Sequence, residues 1–128
     1  FVRLGMDGEV IPVFGDGKIK RDFLFIDDCV EAILLCGMDE STVGEVINIG
    51  HDQPQNFLQI AETLKEIDPS VRWEFVPFSP ERKAQEPGDF YSDISKIKNL
   101  IGWSPQSTLL EGLGHTWRYY EKHRSQYW

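Results

Sequence analysis

At 128 residues the chain is long enough for one domain that buries roughly two-thirds of its unfolded surface. Eight Phe, four Tyr and four Trp supply the bulk for a packed interior, which argues against disorder. A formal net charge of -8 excludes a general affinity for nucleic acid or anionic lipid, since both need a basic surface; an anionic ligand would require a local basic pocket.

No apolar run is long enough to cross a bilayer, and the opening FVRLGMDGEV has neither a basic stretch nor a signal-type apolar segment. A soluble, cytoplasmic chain is the expectation. The opening FVRLGM reads as the end of a helix whose start lies elsewhere, so residues 1-128 are expected to form a single lobe of a larger protein.

Glu9 to Phe14 predicts a short strand, and Gly15-Asp16-Gly17 supplies turn residues, so a hairpin-like reversal is expected. In KIKRDFLFI the alternation puts Ile19, Arg21, Phe23 and Phe25 on one face. Asp27 or Asp28 can then cap a helix whose core-facing stripe holds Cys29, Val30, Ile33, Leu34 and Cys36, with Gly37 at its end. The two cysteines stack two turns apart, too far for a disulfide, and read as small interior residues.

EVINIG predicts a further strand. Asn56 with Gln59 forms a capping-box signature for a helix with Phe57, Ile60, Ala61, Leu64 and Ile67 on its apolar face, stopped by Asp68-Pro69. Val71 to Val76 predicts a strand ended by Pro77, and FSPERKAQEPGDFYS, lacking either periodicity, predicts the longest loop. Asp93 caps a short helix bearing Ile94, Ile97, Leu100 and Ile101, closed by Gly102, and Trp103 is expected to pack the last helices together. Thr108 and Glu111 repeat the capping box before a stripe of Leu110, Leu113, Trp117 and Tyr120. The alternation of strands and helices makes the fold class α/β.

The most informative residue is Arg21, because a guanidinium in phase with three large apolar groups must find a counter-charge or remain solvated in a cleft. A phosphate held by charge-assisted bonds is one partner, and an internal ion pair with Asp22, Asp28, Asp89 or Asp93 is the other. Periodicity does not separate them. His51, His115 and His123 have no ligand spacing with one another or with the cysteines, so no zinc site is expected.

The ordered set VFGDG, RDFLFIDD, INIG, PGD, DISK and GWSP resembles the latter half of extended short-chain dehydrogenases/reductases, the NAD-dependent epimerase/dehydratase family acting on nucleotide sugars. The similarity covers nearly the whole chain. It implies an α/β substrate-binding lobe, separated from the amino-terminal Rossmann domain that would hold NAD(P) and carry a Tyr-x-x-x-Lys pair. It also implies a nucleoside diphosphate sugar as ligand, and a homodimer formed through helices of the absent half. Residue by residue, Arg21 matches a diphosphate ligand, Pro12 and Phe14 flank the base, Phe57 lies near the ribose, and Asp89 meets ribose hydroxyls.

One departure stands out. Many relatives place an arginine directly before PGD as a second diphosphate ligand, where this chain has Glu86, leaving Arg82 to reach round instead. None of the eleven glycines falls in a GxGxxG or GxxGxxG arrangement, and no Tyr is followed four residues later by Lys. The chain alone is therefore expected to be inactive and to bind no cofactor. A non-catalytic binding or regulatory module derived from the same family is the alternative.

Overall fold

A computed structural model describes residues 1–128. Six helices and four strands follow in the order α1 (Val2–Met6), β1 (Val10–Phe14), β2 (Lys20–Arg21), α2 (Ile26–Met38), β3 (Gln55–Asn56), α3 (Phe57–Ile67), β4 (Arg72–Val76), α4 (Pro80–Gln85), α5 (Ser95–Ile101) and α6 (Leu109–Tyr127). This is the α/β arrangement that the sequence predicts.

The predicted hairpin does not form. β1 pairs in parallel with β4, from Val10 opposite Arg72 to Phe14 opposite Val76, whereas β2 pairs antiparallel with β3 in a separate two-residue ladder. The Gly15-Asp16-Gly17 turn sends the chain into the start of α3 rather than back along β1: the Gly17 carbonyl accepts the Leu58 N–H at 3.0 Å. Gly17 sits at φ +69°, and a Cβ there would lie 2.6 Å from Val13 Cγ1, so the position needs glycine on both counts.

Pro12 is tolerated inside β1 for a reason of register. Gly15 N–H donates to the Val76 carbonyl, so strand alternation turns the odd-numbered amides toward β4 and the missing amide of Pro12 away from it.

The alternating pattern of KIKRDFLFI yields a ladder only at Lys20–Arg21. EVINIG likewise forms no strand, because no other segment of this chain runs beside it as a ladder partner. Its Ile47 and Ile49 instead pack against the buried cluster of Ala32, Ile94, Ile97 and Trp103.

The interior is divided in two. Ile11, Ile60, Leu64, Val71 and Trp117 join β1, α3 and α6, and full burial of a Leu64-sized side chain contributes about 1.5 to 3 kcal/mol. Ala32, Ile94, Ile97 and Trp103 join α2 to α5, with the Trp103 indole N–H donating to Glu31 at 3.2 Å. Trp103 thus packs α2 against α5, not the last two helices together.

Both predicted capping boxes are present, at Asn56/Gln59 and Thr108/Glu111. The expected long loop contains α4, started by the Ser79 side chain accepting the Arg82 N–H and by Pro80 in the first turn. Asp93 accepts the Ser95 N–H just ahead of α5, whose N-cap is Ile94, and Gly102 closes that helix.

α2 departs furthest from expectation. Ala32 is buried and Leu35 and Cys36 pack inward, while Val30, Ile33 and Leu34 are 45%, 55% and 59% exposed. Ile26 and Met38 extend that outward apolar stripe along the whole helix. The physical reason is that α2 is apolar on two sides and this chain supplies a cover for one. Cys29 and Cys36 are free and half-buried.

No helix is long and apolar enough to cross a membrane.

Candidate functional site

β2 and the segment after α4 bring the key charged groups together. Phe90 N–H donates to the Lys20 carbonyl at 3.2 Å, and Lys20 N–H donates to Asp89 Oδ1 at 2.9 Å, so residues 88–90 are laced along β2. Arg21 completes the lacing. Its Nη1 donates to the Lys20 and Gly88 carbonyls, each at 2.7 Å, and its Nη2 donates to Glu86 Oε1 at 2.7 Å.

Glu86 is the internal partner of Arg21, and it is none of the four aspartates that the sequence offered. Asp22 accepts the Ser92 N–H at 2.9 Å, Asp28 accepts the Gln106 and Ser107 N–H groups, and Asp89 and Asp93 accept the amides given above. All four carboxylates are taken up by backbone donors, which need no arginine. The signal for Glu86 lay in the sequence as its departure from the arginine of many relatives: a carboxylate placed where a second cation is usual meets the first one.

Aromatic rings surround this pair. The Arg21 guanidinium lies 5.9 Å from the centroid of Phe57, which meets Phe23 edge-on at 5.6 Å. Of the face shared by Ile19, Arg21, Phe23 and Phe25, Arg21 and Phe23 thus converge on one ring. Phe25 turns elsewhere and stacks on His115 at 5.6 Å.

Phe14 forms a second centre with α4. The guanidinium carbon of Arg82 is 3.8 Å from the Phe14 ring centroid, and Phe78 packs against the same ring at 5.6 Å. Arg82 makes no ion pair with a carboxylate. Pro12 is half-buried in β1, two residues before Phe14. One short helix therefore lays Arg82 on Phe14 and, at its C-cap, Glu86 on Arg21.

Three cavities, of about 700, 560 and 210 Å³, lie elsewhere, and none is lined by Pro12, Phe14, Arg21, Phe57, Arg82 or Asp89. The first is apolar and runs between Phe23–Asp27 and the first turns of α6, with Phe25, Leu109, Leu113 and Tyr120 in its walls. The second is polar, with His51, Gln59, Glu62 and Ser107. His51 is held by its neighbours: Nδ1 accepts the Gln53 N–H and Nε2 faces the Ser107 carbonyl at 3.2 Å. No group of His, Cys, Asp and Glu is arranged to hold a metal ion.

Residues 3–116 match the family described as GDP-mannose 4,6 dehydratase. The chain is 39% identical over 104 residues to UDP-glucuronic acid decarboxylase 1 of Arabidopsis thaliana, covering 80% of this chain and 22% of that protein. It is 35% identical over 103 residues to an uncharacterized UDP-glucose epimerase of Bacillus subtilis (strain 168), covering 80% of this chain and 32% of that one. Among solved structures, the UDP-glucuronic acid 4-epimerase of Bacillus cereus in complex with UDP-glucuronic acid and NAD superposes with a TM-score of 0.81 at 31% identity, over 95% of this chain and 38% of that chain. The chain thus spans between about a fifth and two-fifths of the length of these relatives. With nearly all its residues inside the family match and its fold shared along its length, the chain belongs to the GDP-mannose 4,6-dehydratase family of extended short-chain dehydrogenases/reductases, and corresponds to their carboxy-terminal part.

Proposed function

We propose that this chain is the substrate lobe of a nucleotide-sugar epimerase, dehydratase or decarboxylase, holding a nucleoside diphosphate sugar for a reaction carried out in the remainder of the complete protein. The supporting observation is the pair of guanidinium–aromatic centres at either end of α4, Arg82 on Phe14 and Arg21 beside Phe57. Rings suit a planar base and ribose, and guanidinium groups suit a diphosphate. In this reading Pro12 and Phe14 flank the base, Phe57 the ribose, Arg21 and Arg82 the diphosphate, and Asp89 the ribose hydroxyls. The contribution to catalysis is positioning.

NAD(P), the family's cofactor, does not fit the residues of this chain. Its helices open after Phe1, Phe25, Asn56, Ser79, Ile94 and Thr108, and none begins on the glycine-rich turn that lets a backbone approach a pyrophosphate. The cofactor and the hydride transfer belong, in this proposal, to the remainder of the protein. The uncovered stripe of α2, from Ile26 to Met38, supports the same reading as a face against which that remainder packs.

Calorimetric titration of the complete protein with a panel of nucleoside diphosphate sugars tests the proposal. Saturable binding that Arg21→Ala weakens supports it. Absence of binding by the whole panel to a folded, NAD-loaded protein would reject it.

A further inference from the structure

Three of the five N–H groups of the Arg21 guanidinium are already committed: two to backbone carbonyls and one to Glu86 Oε1. The Glu86 carboxylate is itself anchored, accepting the Gly88 N–H at 3.2 Å with the same oxygen. Arg21 and Glu86 are 22% and 23% exposed at their side chains, so the pair is shielded enough to persist yet open on one side to a competitor. Glu86 is also the C-cap of α4, the helix that lays Arg82 over Phe14. A carboxylate from the chain therefore occupies the cation proposed above to meet a diphosphate.

We infer that Glu86 is an affinity- and specificity-determining residue: an internal anion on Arg21 that a ligand phosphate must displace before it can bind. This rests on the proposed nucleotide-sugar role and adds what that role leaves open, namely why the arginine is already neutralised. Binding becomes an exchange of one anion for another. Arg21 gives up the Glu86 oxygen, a phosphate oxygen takes its place, and the freed carboxylate moves into solvent with the end of α4. The displaced charge stays close, so it disfavours highly charged ligands and favours those whose base and ribose contribute most through Phe14 and Phe57. Inorganic pyrophosphate should therefore be the poorest ligand relative to its charge, and a nucleoside diphosphate the better one.

The test is titration of the complete protein with UDP and with inorganic pyrophosphate, in the wild type, Glu86→Gln, Arg21→Ala and the double variant. Gln keeps an oxygen for the Gly88 amide and removes the charge; Glu86→Ala serves as the second variant should Gln disturb the loop. The expected result is that Glu86→Gln tightens UDP about fivefold and pyrophosphate by more, the size of a partly exposed charge interaction, and that the gain disappears in the Arg21→Ala background. Unchanged or weaker UDP binding in both Glu86 variants, with the wild type binding UDP, would overturn the exchange while leaving the proposed function standing. A gain that persists undiminished without Arg21 would overturn it too, by showing repulsion through space rather than occupation of the guanidinium. Failure of the wild type and the Glu86 variants alike to bind UDP, GDP or dTDP, with the fold intact, would reject the nucleotide reading and the exchange with it.

Discussion

Asp28 Oδ2 accepts the Ser107 N–H at 3.0 Å across 79 residues of sequence, joining the first turn of α2 to the segment that leads into α6. The other oxygen, Oδ1, takes the Gln106 N–H at 3.2 Å, and the side chain is buried. A carboxylate so placed ties the α2–α5 half of the molecule to the α3–α6 half. Asp28→Ala leaves two backbone donors without a partner and is expected to destabilise the fold by about 2 to 3 kcal/mol, read from the urea midpoint. Asp28→Asn retains one acceptor and should lose less.

Arg21→Ala in the complete protein is expected to weaken nucleotide-sugar binding by about 1.5 to 3 kcal/mol, the range for a charged hydrogen bond, with the far-ultraviolet circular dichroism unchanged. Unaltered affinity accompanied by a lower unfolding midpoint would assign Arg21 to lacing the 86–90 segment onto β2 and nothing more.

The outward stripe of α2 predicts self-association of the isolated chain. Ile33 and Leu34 are 55% and 59% exposed and belong to neither interior cluster, so Ile33→Glu with Leu34→Lys should raise the monomer fraction in sedimentation at micromolar concentration. Stability of the monomer should move by no more than about 0.5 kcal/mol. A large loss of stability would mean that the two side chains are packed within the monomer in solution.

The acid limb of stability follows from several carboxylates held below their ordinary range. A hydrogen bond from Lys98 lowers Asp52 from its ordinary 3.8, and Ser70 does the same for Asp68. The Ser95 backbone N–H lowers Asp93, and Thr108 lowers Glu111 from its ordinary 4.5. Each binds its proton more readily in the unfolded chain, so its stabilisation is complete above those ordinary values and is lost as pH falls through the lower folded ones. Unfolding free energy measured against pH should therefore be flat from neutrality to about pH 5 and decline below about pH 4. Lys98→Met should make that decline shallower.

What the sequence disclosed depended on how local the determinant was. The capping boxes at Asn56/Gln59 and Thr108/Glu111 are legible because each is complete within four residues. The pairing of β1 was not, because a Gly-Asp-Gly turn is compatible with a hairpin and nothing near it announces a partner at Arg72. Apolar periodicity in α2 reveals a sticky face without saying what covers it, so the pattern predicts Ile33 inside where the structure has it outside. At the candidate site, Arg21 was conspicuous from its phase among large apolar residues. Its partner Glu86 lies 65 residues away, just past the end of a helix that the proline-rich composition concealed, so only the tertiary structure joins them.

The parallel pairing of β1 with β4 also sets an order of events during synthesis. Phe14 and Val76 meet across about 60 intervening residues, a span that takes roughly 3 to 12 s to translate at 5 to 20 residues per second. Throughout that interval β1 lacks the strand it pairs with in this chain, while α2 and α3 can already coil behind it. The β1–β4 ladder must wait until β4 has cleared the ribosomal exit tunnel, so the apolar strand VIPVF spends that time without the partner that buries Ile11 and Val13 beside it.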